Sequence, residues 1–121
     1  MTTTTQPRVG KNAFLWTLQI VSAALFLVAG ISKLAGAGAM VQLFAQIGVG
    51  QWFRYVTGTI EVVGAALLLV PSFAFIAGAA LAVTMVGAIL THLFIVGGNP
   101  LIAILLLAST ATVTAVRGGA R

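Results

Sequence analysis

The chain has no cysteine, one acidic residue and one histidine in 121 positions. Without Cys it can form no disulfide, no thiol relay, no thiolate-held iron–sulfur cluster and no c-type haem attachment. A single His, His92, leaves no second imidazole for a bis-His haem within one chain. Any redox role therefore needs a partner or a diffusible cofactor. Charge is equally scarce: DEKR residues make up 6% of the chain, against about a quarter in soluble domains. One acid, Glu61, and six basic residues cannot cover a water-facing surface.

What is present is apolar. AVILMFWYC residues account for 60% and Gly for another 14 positions, above the ~45–50% of soluble domains with Gly included. A membrane-spanning helix takes about 20 mostly apolar residues, so four spans would use about 80 and leave only short connections. The composition predicts an all-α membrane protein in a single integral domain. A net charge of +5 invites a nucleic-acid reading, but Arg8, Lys11, Lys33, Arg54, Arg117 and Arg121 are scattered and mostly flank apolar runs. Nucleic-acid binders cluster such residues on one face. Nucleic acid is excluded as a partner, and the lipid bilayer takes its place.

The first dozen residues, Met1 to Asn12, are polar and Thr-rich and read as a short tail. A first helix is expected over about 13–34, with Phe14 and Trp16 at the interface. Its apolar run exceeds the 7–15 residues of a signal-peptide core, which favours a retained span over a cleaved leader. The segment at about 37–50 is too Gly-interrupted to span, and Met40, Leu43, Phe44 and Ile47 at helical spacing predict a short interfacial helix. Further helices are expected at about 56–70, 73–96 and 101–116. Pro71-Ser72 makes one turn, and Gly97-Gly98-Asn99-Pro100 makes another, with Pro100 placed to open the last helix. The expected architecture is an up-down-up-down four-helix bundle.

Four spans put both termini on one side with Arg8, Lys11, Arg117 and Arg121, and leave Lys33 and Arg54 on the other. The positive-inside rule then places both termini in the cytoplasm. Small residues supply candidate packing faces: Gly58, Gly64 and Ala65 on the second span, Ala74, Gly78 and Ala82 on the third, and Ala108, Ala111 and Ala115 on the fourth.

Ionisable side chains inside a membrane are costly, so each is a candidate site whose partner should be named. Lys33, Glu61 and His92 all fall near the same ends of their helices, in the outer half of the bilayer, with Arg54 at the rim. Glu61 lies seven residues, about 10 Å, beyond Arg54 on the same helix. Gln19, Ser22, Phe26, Ala29, Gly30 and Lys33 form one polar and small stripe that should face the bundle interior. A buried carboxylate needs a basic partner whether or not it does chemistry, so Glu61 either pairs structurally with Lys33 or Arg54, or shares a pocket with Lys33, Arg54 and His92. Such a pocket would suit a small lipophilic ligand with carbonyl or hydroxyl ends, such as a quinone or phenol. Glu61 or His92 would exchange a proton, and Lys33 or Arg54 would stabilise an oxyanion. No metal site is indicated.

Gly30-Ile31-Ser32-Lys33-Leu34, followed by Gly58-Thr59-Ile60-Glu61-Val62-Val63-Gly64, resembles the DoxX family of small four-helix bacterial membrane proteins. Met40 to Gly50 and the overall size extend the resemblance over nearly the whole chain. Many members carry a basic residue where Gln19 stands, and this chain departs from that pattern. The resemblance implies a bacterial inner-membrane location and relatives that include the small membrane subunit of a thiosulfate:quinone oxidoreductase. It carries over Lys33 and Glu61 as matching positions, with His92 as a further candidate. The expected function is an accessory subunit of a membrane redox system that binds quinone or a small aromatic and docks an oxidoreductase partner, without catalysing a reaction alone. A non-catalytic scaffold of a larger complex is the alternative, with a homo-oligomer as a further candidate assembly. A transporter is disfavoured, because four short-looped helices leave little room for alternating access.

Overall fold

A computed structural model describes the backbone of residues 5–119 and the side chains of residues 12–118. The described chain is all-helical: α1 (Thr5–Ala35), α2 (Gly38–Ile47), α3 (Trp52–Leu68), α4 (Ala74–Thr91), a π-helical turn (His92–Val96) and α5 (Leu101–Gly119). Helix α1 starts at Thr5, so the polar stretch before the first apolar run is largely helical and not a tail. Nothing in its sequence breaks the helix before Gly36. Arg121 and the side chains of Arg8 and Lys11, on which the expected orientation rests, lie outside the described residues.

Local chemistry sets the helix ends. Gly36 takes φ +75°, and α1 closes with Ala37 N–H donating to Ser32 O and Gly36 N–H donating to Lys33 O. This is the Schellman pattern, which needs a residue tolerant of left-handed backbone at that position. Helix α2 ends at Gly48, whose N–H donates to Phe44 O. Asn99 accepts from Leu101 N–H through Oδ1 at 2.9 Å, and Pro100, directly before α5, has no N–H to satisfy while its carbonyl accepts from Ile104 N–H.

Among the described residues, three stretches are long and apolar enough to cross a membrane: Asn12–Ala35, Ala74–Val96 and Leu101–Gly118. Helix α3 has 17 residues and carries Arg54 and Glu61, so it falls short of that measure. The chain is a small multi-pass membrane protein.

Helices pack α1 on α3 and α4 on α5 most extensively, while α3·α4 and α1·α5 complete the set. Helix α1 runs antiparallel to α3 and to α5. Near one end of the bundle Lys33 of α1 meets Glu61 of α3, and toward the other Gln19 of α1 meets Leu68 of α3 and Arg117 of α5. Core positions are Phe26, Leu68, Leu81 and Val113, with Ala65, Ala74 and Ala77 between them. Gly30 and Gly58 set the α1–α3 crossing. A Cβ on Gly30 would lie 2.9 Å from Gly58 O and 3.0 Å from Val62 N, so only glycine allows the backbones this close.

One packing expectation is corrected. Ala108, Ala111 and Ala115 are exposed, and α5 turns Ala103, Leu106, Thr110 and Val113 inward instead. Small size permits close packing but does not select the buried face. In lipid, apolar character on the outside is no signal either.

Candidate functional site

The α1–α3 crossing brings together three of the four expected site residues. Lys33 Nζ lies 2.8 Å from Glu61 Oε1, and both side chains are buried, Glu61 at 2% exposure. Glu61 Oε1 receives no other hydrogen bond. Lys33 reaches it because Gly58, one turn before Glu61, has no side chain: a Cβ there would stand 3.0 Å from Lys33 Cβ.

Arg54 joins from the first turn of α3. Its Nη1 donates to the Lys33 carbonyl, a very short contact, and its Nε donates to Gln51 Oε1 at 2.7 Å. The last carbonyls of a helix lack intrahelical partners and carry partial negative charge. Arg54 thus binds the end of α1, and its guanidinium also lies 4.4 Å over the Tyr55 ring. Gln51 in turn donates through Nε2 to Val41 O, tying α2 to the same cluster. Sequence reasoning missed Gln51. Its place directly before the Trp52-Phe53-Arg54-Tyr55 belt was the available signal.

His92 is not brought to this pair. Its Nδ1 lies 2.8 Å from Gly97 O in the link between the π-helical turn and α5. Helix α2 packs against that turn, so His92 sits with the connecting segments.

A second polar cluster, also missed, occupies the far end of the bundle. Gln19 is fully buried, donating through Nε2 to Leu68 O at 2.7 Å and accepting from Arg117 Nε at 2.9 Å. Leu68 ends α3, so Gln19 meets a carbonyl with no partner within its own helix. Arg117 also lies over the Trp16 ring at 5.6 Å. A basic group therefore does reach Gln19, supplied by α5. One turn along α1, Ser22 and Ser109 share a hydrogen bond of 2.7 Å between their hydroxyls. Of the inward stripe expected on α1, Gln19, Ser22, Phe26, Gly30 and Lys33 are buried, and Ala29 is half-buried at its edge.

Chemically, the Lys33 end offers one carboxylate, one ammonium and one guanidinium within a few residues of a helix terminus. It can hold a proton, stabilise developing negative charge, or lock two helices together. Comparison with curated proteins and with solved structures gives no match. A family model described as the DoxX-like family matches residues 17–116, which hold Lys33, Gln51, Arg54 and Glu61 as well as Gln19, Ser22, Leu68 and Ser109 and stop one residue short of Arg117, and the chain belongs to that family.

Proposed function

We propose that the chain is an accessory subunit of a membrane redox system that binds quinone or a small aromatic at Lys33, Glu61 and Arg54. In this reading α3 is a fourth span; its 17 residues cover about 25 Å at 1.5 Å per residue. The four long helices then run up-down-up-down in a bacterial inner membrane, with both termini cytoplasmic and the Lys33 end in the outer leaflet. The observation that carries the reading is the bare coordination of Glu61 Oε1, a buried carboxylate oxygen with Lys33 as its one partner. That oxygen can still accept a hydrogen bond from a hydroxyl, and Lys33 Nζ can donate to a carbonyl oxygen, so the donor set fits the two ends of a quinone–quinol couple.

A quinone would supply electron-pair and proton carriage that no side chain of this chain provides. Glu61 would hold or release the proton at Oε1. Lys33 would offset the charge left on a ligand oxygen, and Arg54 would keep Lys33 in place by fixing the end of α1. His92 stays outside this site because its Nδ1 is engaged at Gly97 O. The test is titration of the purified protein with ubiquinone-1. Saturable binding that Glu61→Gln and Lys33→Met each weaken about tenfold, or 1.4 kcal/mol, supports the reading, provided both variants stay folded. Unchanged binding in folded variants, or no saturable binding at all, overturns it.

A scaffold role is the second reading, favoured by the way Lys33, Arg54, Gly30 and Gly58 lock α1 to α3. It expects a partner recovered in fixed stoichiometry after mild solubilisation, with Glu61 variants changing stability alone.

A further inference from the structure

The positive charges of this bundle do not all find their counterparts inside it. The chain carries a formal +5 with a single acidic side chain, and Lys33 occupies that one carboxylate. Arg54 is served by the α1 terminus, Gln51 and the Tyr55 ring. Arg117 is not served to the same degree. Its Nε reaches a neutral amide oxygen of Gln19, its face meets Trp16, and its Nη2 is buried with no acceptor among the described residues. No carboxylate among the described residues pairs with it. A guanidinium with an unused donor can take an anion that the described residues do not supply.

Beside it runs a groove. Leu18, Val21 and Leu25 of α1 and Ile102, Leu105 and Leu106 of α5 line a half-open cleft of about 400 Å³. Its walls present almost no polar surface, because Ser22 and Ser109 at its edge satisfy each other and Thr17 donates to Ala13 O. The cleft offers nothing to a polar ring or headgroup and suits a hydrocarbon chain. Its α1 end, at Thr17 and Leu18, is level with Trp16 and Gln19, the two residues that hold the Arg117 guanidinium. Arg117 leaves α5 about 12 Å past Ser109 and folds back to that level.

We infer that the α1–α5 groove binds one acyl chain of an anionic glycerophospholipid whose phosphate is held by Arg117. An apolar slot whose Thr17–Leu18 end lies next in sequence to Trp16 and Gln19, the residues that hold an incompletely matched guanidinium, is complementary to such a molecule at both of its ends. Trp16 stands where interfacial aromatics meet headgroups, and Arg presents a planar fork that matches phosphate oxygens. The site is on the opposite end of α1 from Lys33 and Glu61, and it does not depend on the redox reading.

The experiment is native mass spectrometry of the full-length protein in detergent with equal dioleoyl-phosphatidylglycerol and dioleoyl-phosphatidylcholine. One basic residue near the membrane surface contributes about 1 kcal/mol, so the wild type should retain phosphatidylglycerol about fivefold over phosphatidylcholine. Arg117→Gln should bring the two lipids level, and Arg117→Lys should keep most of the preference. Leu105→Trp, which fills the groove from its exposed wall, should reduce retention of both lipids. Inorganic phosphate should not compete. A preference unchanged in folded Arg117→Gln, retention unchanged in Leu105→Trp, or competition by inorganic phosphate each overturns the inference.

Discussion

Lys33 and Glu61 form an ion pair of 2.8 Å across the α1–α3 crossing, the one ion pair among the described residues. Two opposite charges at that distance in an apolar bundle are mutually dependent. Removing one leaves an uncompensated buried charge, which typically costs about 3–5 kcal/mol, whereas replacing both with apolar groups of similar volume is often close to neutral. Lys33→Met and Glu61→Leu should each shift unfolding strongly in a denaturant titration, and the double variant should recover most of the loss. Additive losses would mean that the two residues are not coupled.

The glycines make a sharper stability test, because they divide into those with neighbours and those without. A Cβ at Gly30 meets Val62 Cγ2 at 2.7 Å and two backbone atoms at 3.0 Å or less, and backbone cannot rotate away. Overpacking of this kind costs about 1–3 kcal/mol. Gly30→Ala should therefore lower the midpoint of unfolding and weaken the α1–α3 contact. Gly87 on α4 has nothing within 4 Å of its added Cβ, so Gly87→Ala should cause no loss. The pair is read by the same denaturant titration, and equal effects at both positions would count against a close α1–α3 approach.

Much of the bundle was legible in the sequence because membrane helices must hide their few polar groups. Gln19, Ser22, Gly30 and Lys33 recur at helical spacing in an otherwise oily helix, and that period alone identified the inward face of α1. The single acid could find a base only inside the bundle, which pointed to Lys33 or Arg54. The choice between them came from structure: Gly58 opens the space for Lys33, while Arg54 is drawn to the carbonyls ending α1. The Gln19–Arg117 contact, 98 residues apart, was illegible. Arg117 follows an apolar run, and such a residue has the same signature whether it marks topology or turns back into the bundle. Ala108, Ala111 and Ala115 misled for a related reason, since a lipid-facing Ala and a packed Ala look alike.

Site membership can be tested by contrasting Arg54 with His92. Arg54 is 5% exposed and tied to the Lys33 carbonyl, whereas His92 meets Gly97 O. Arg54→Gln removes a charge-assisted hydrogen bond of about 1.5–3 kcal/mol and releases the turn that presents Lys33. Ubiquinone-1 binding should weaken about tenfold in Arg54→Gln and remain within about twofold of wild type in His92→Ala. The reverse order would move the ligand to the His92 side of the bundle.

Gln19 carries the far end, and its amide does two jobs that no apolar residue can share. Nε2 donates to Leu68 O at 2.7 Å and Oε1 accepts from Arg117 Nε at 2.9 Å, with the side chain fully buried. Gln19→Leu keeps the volume but strands a helix-terminal carbonyl and a guanidinium N–H, and a buried polar group left without its partner costs about 1–3 kcal/mol. Gln19→Glu retains an acceptor for Arg117 yet loses the donor to Leu68 O, so it should be less harmful than Gln19→Leu. Gln42→Leu on the exposed side of α2 should have little effect. Thermal unfolding in detergent ranks the three variants, and a Gln19→Leu protein as stable as Gln42→Leu would show that the cluster does not hold α1, α3 and α5 together.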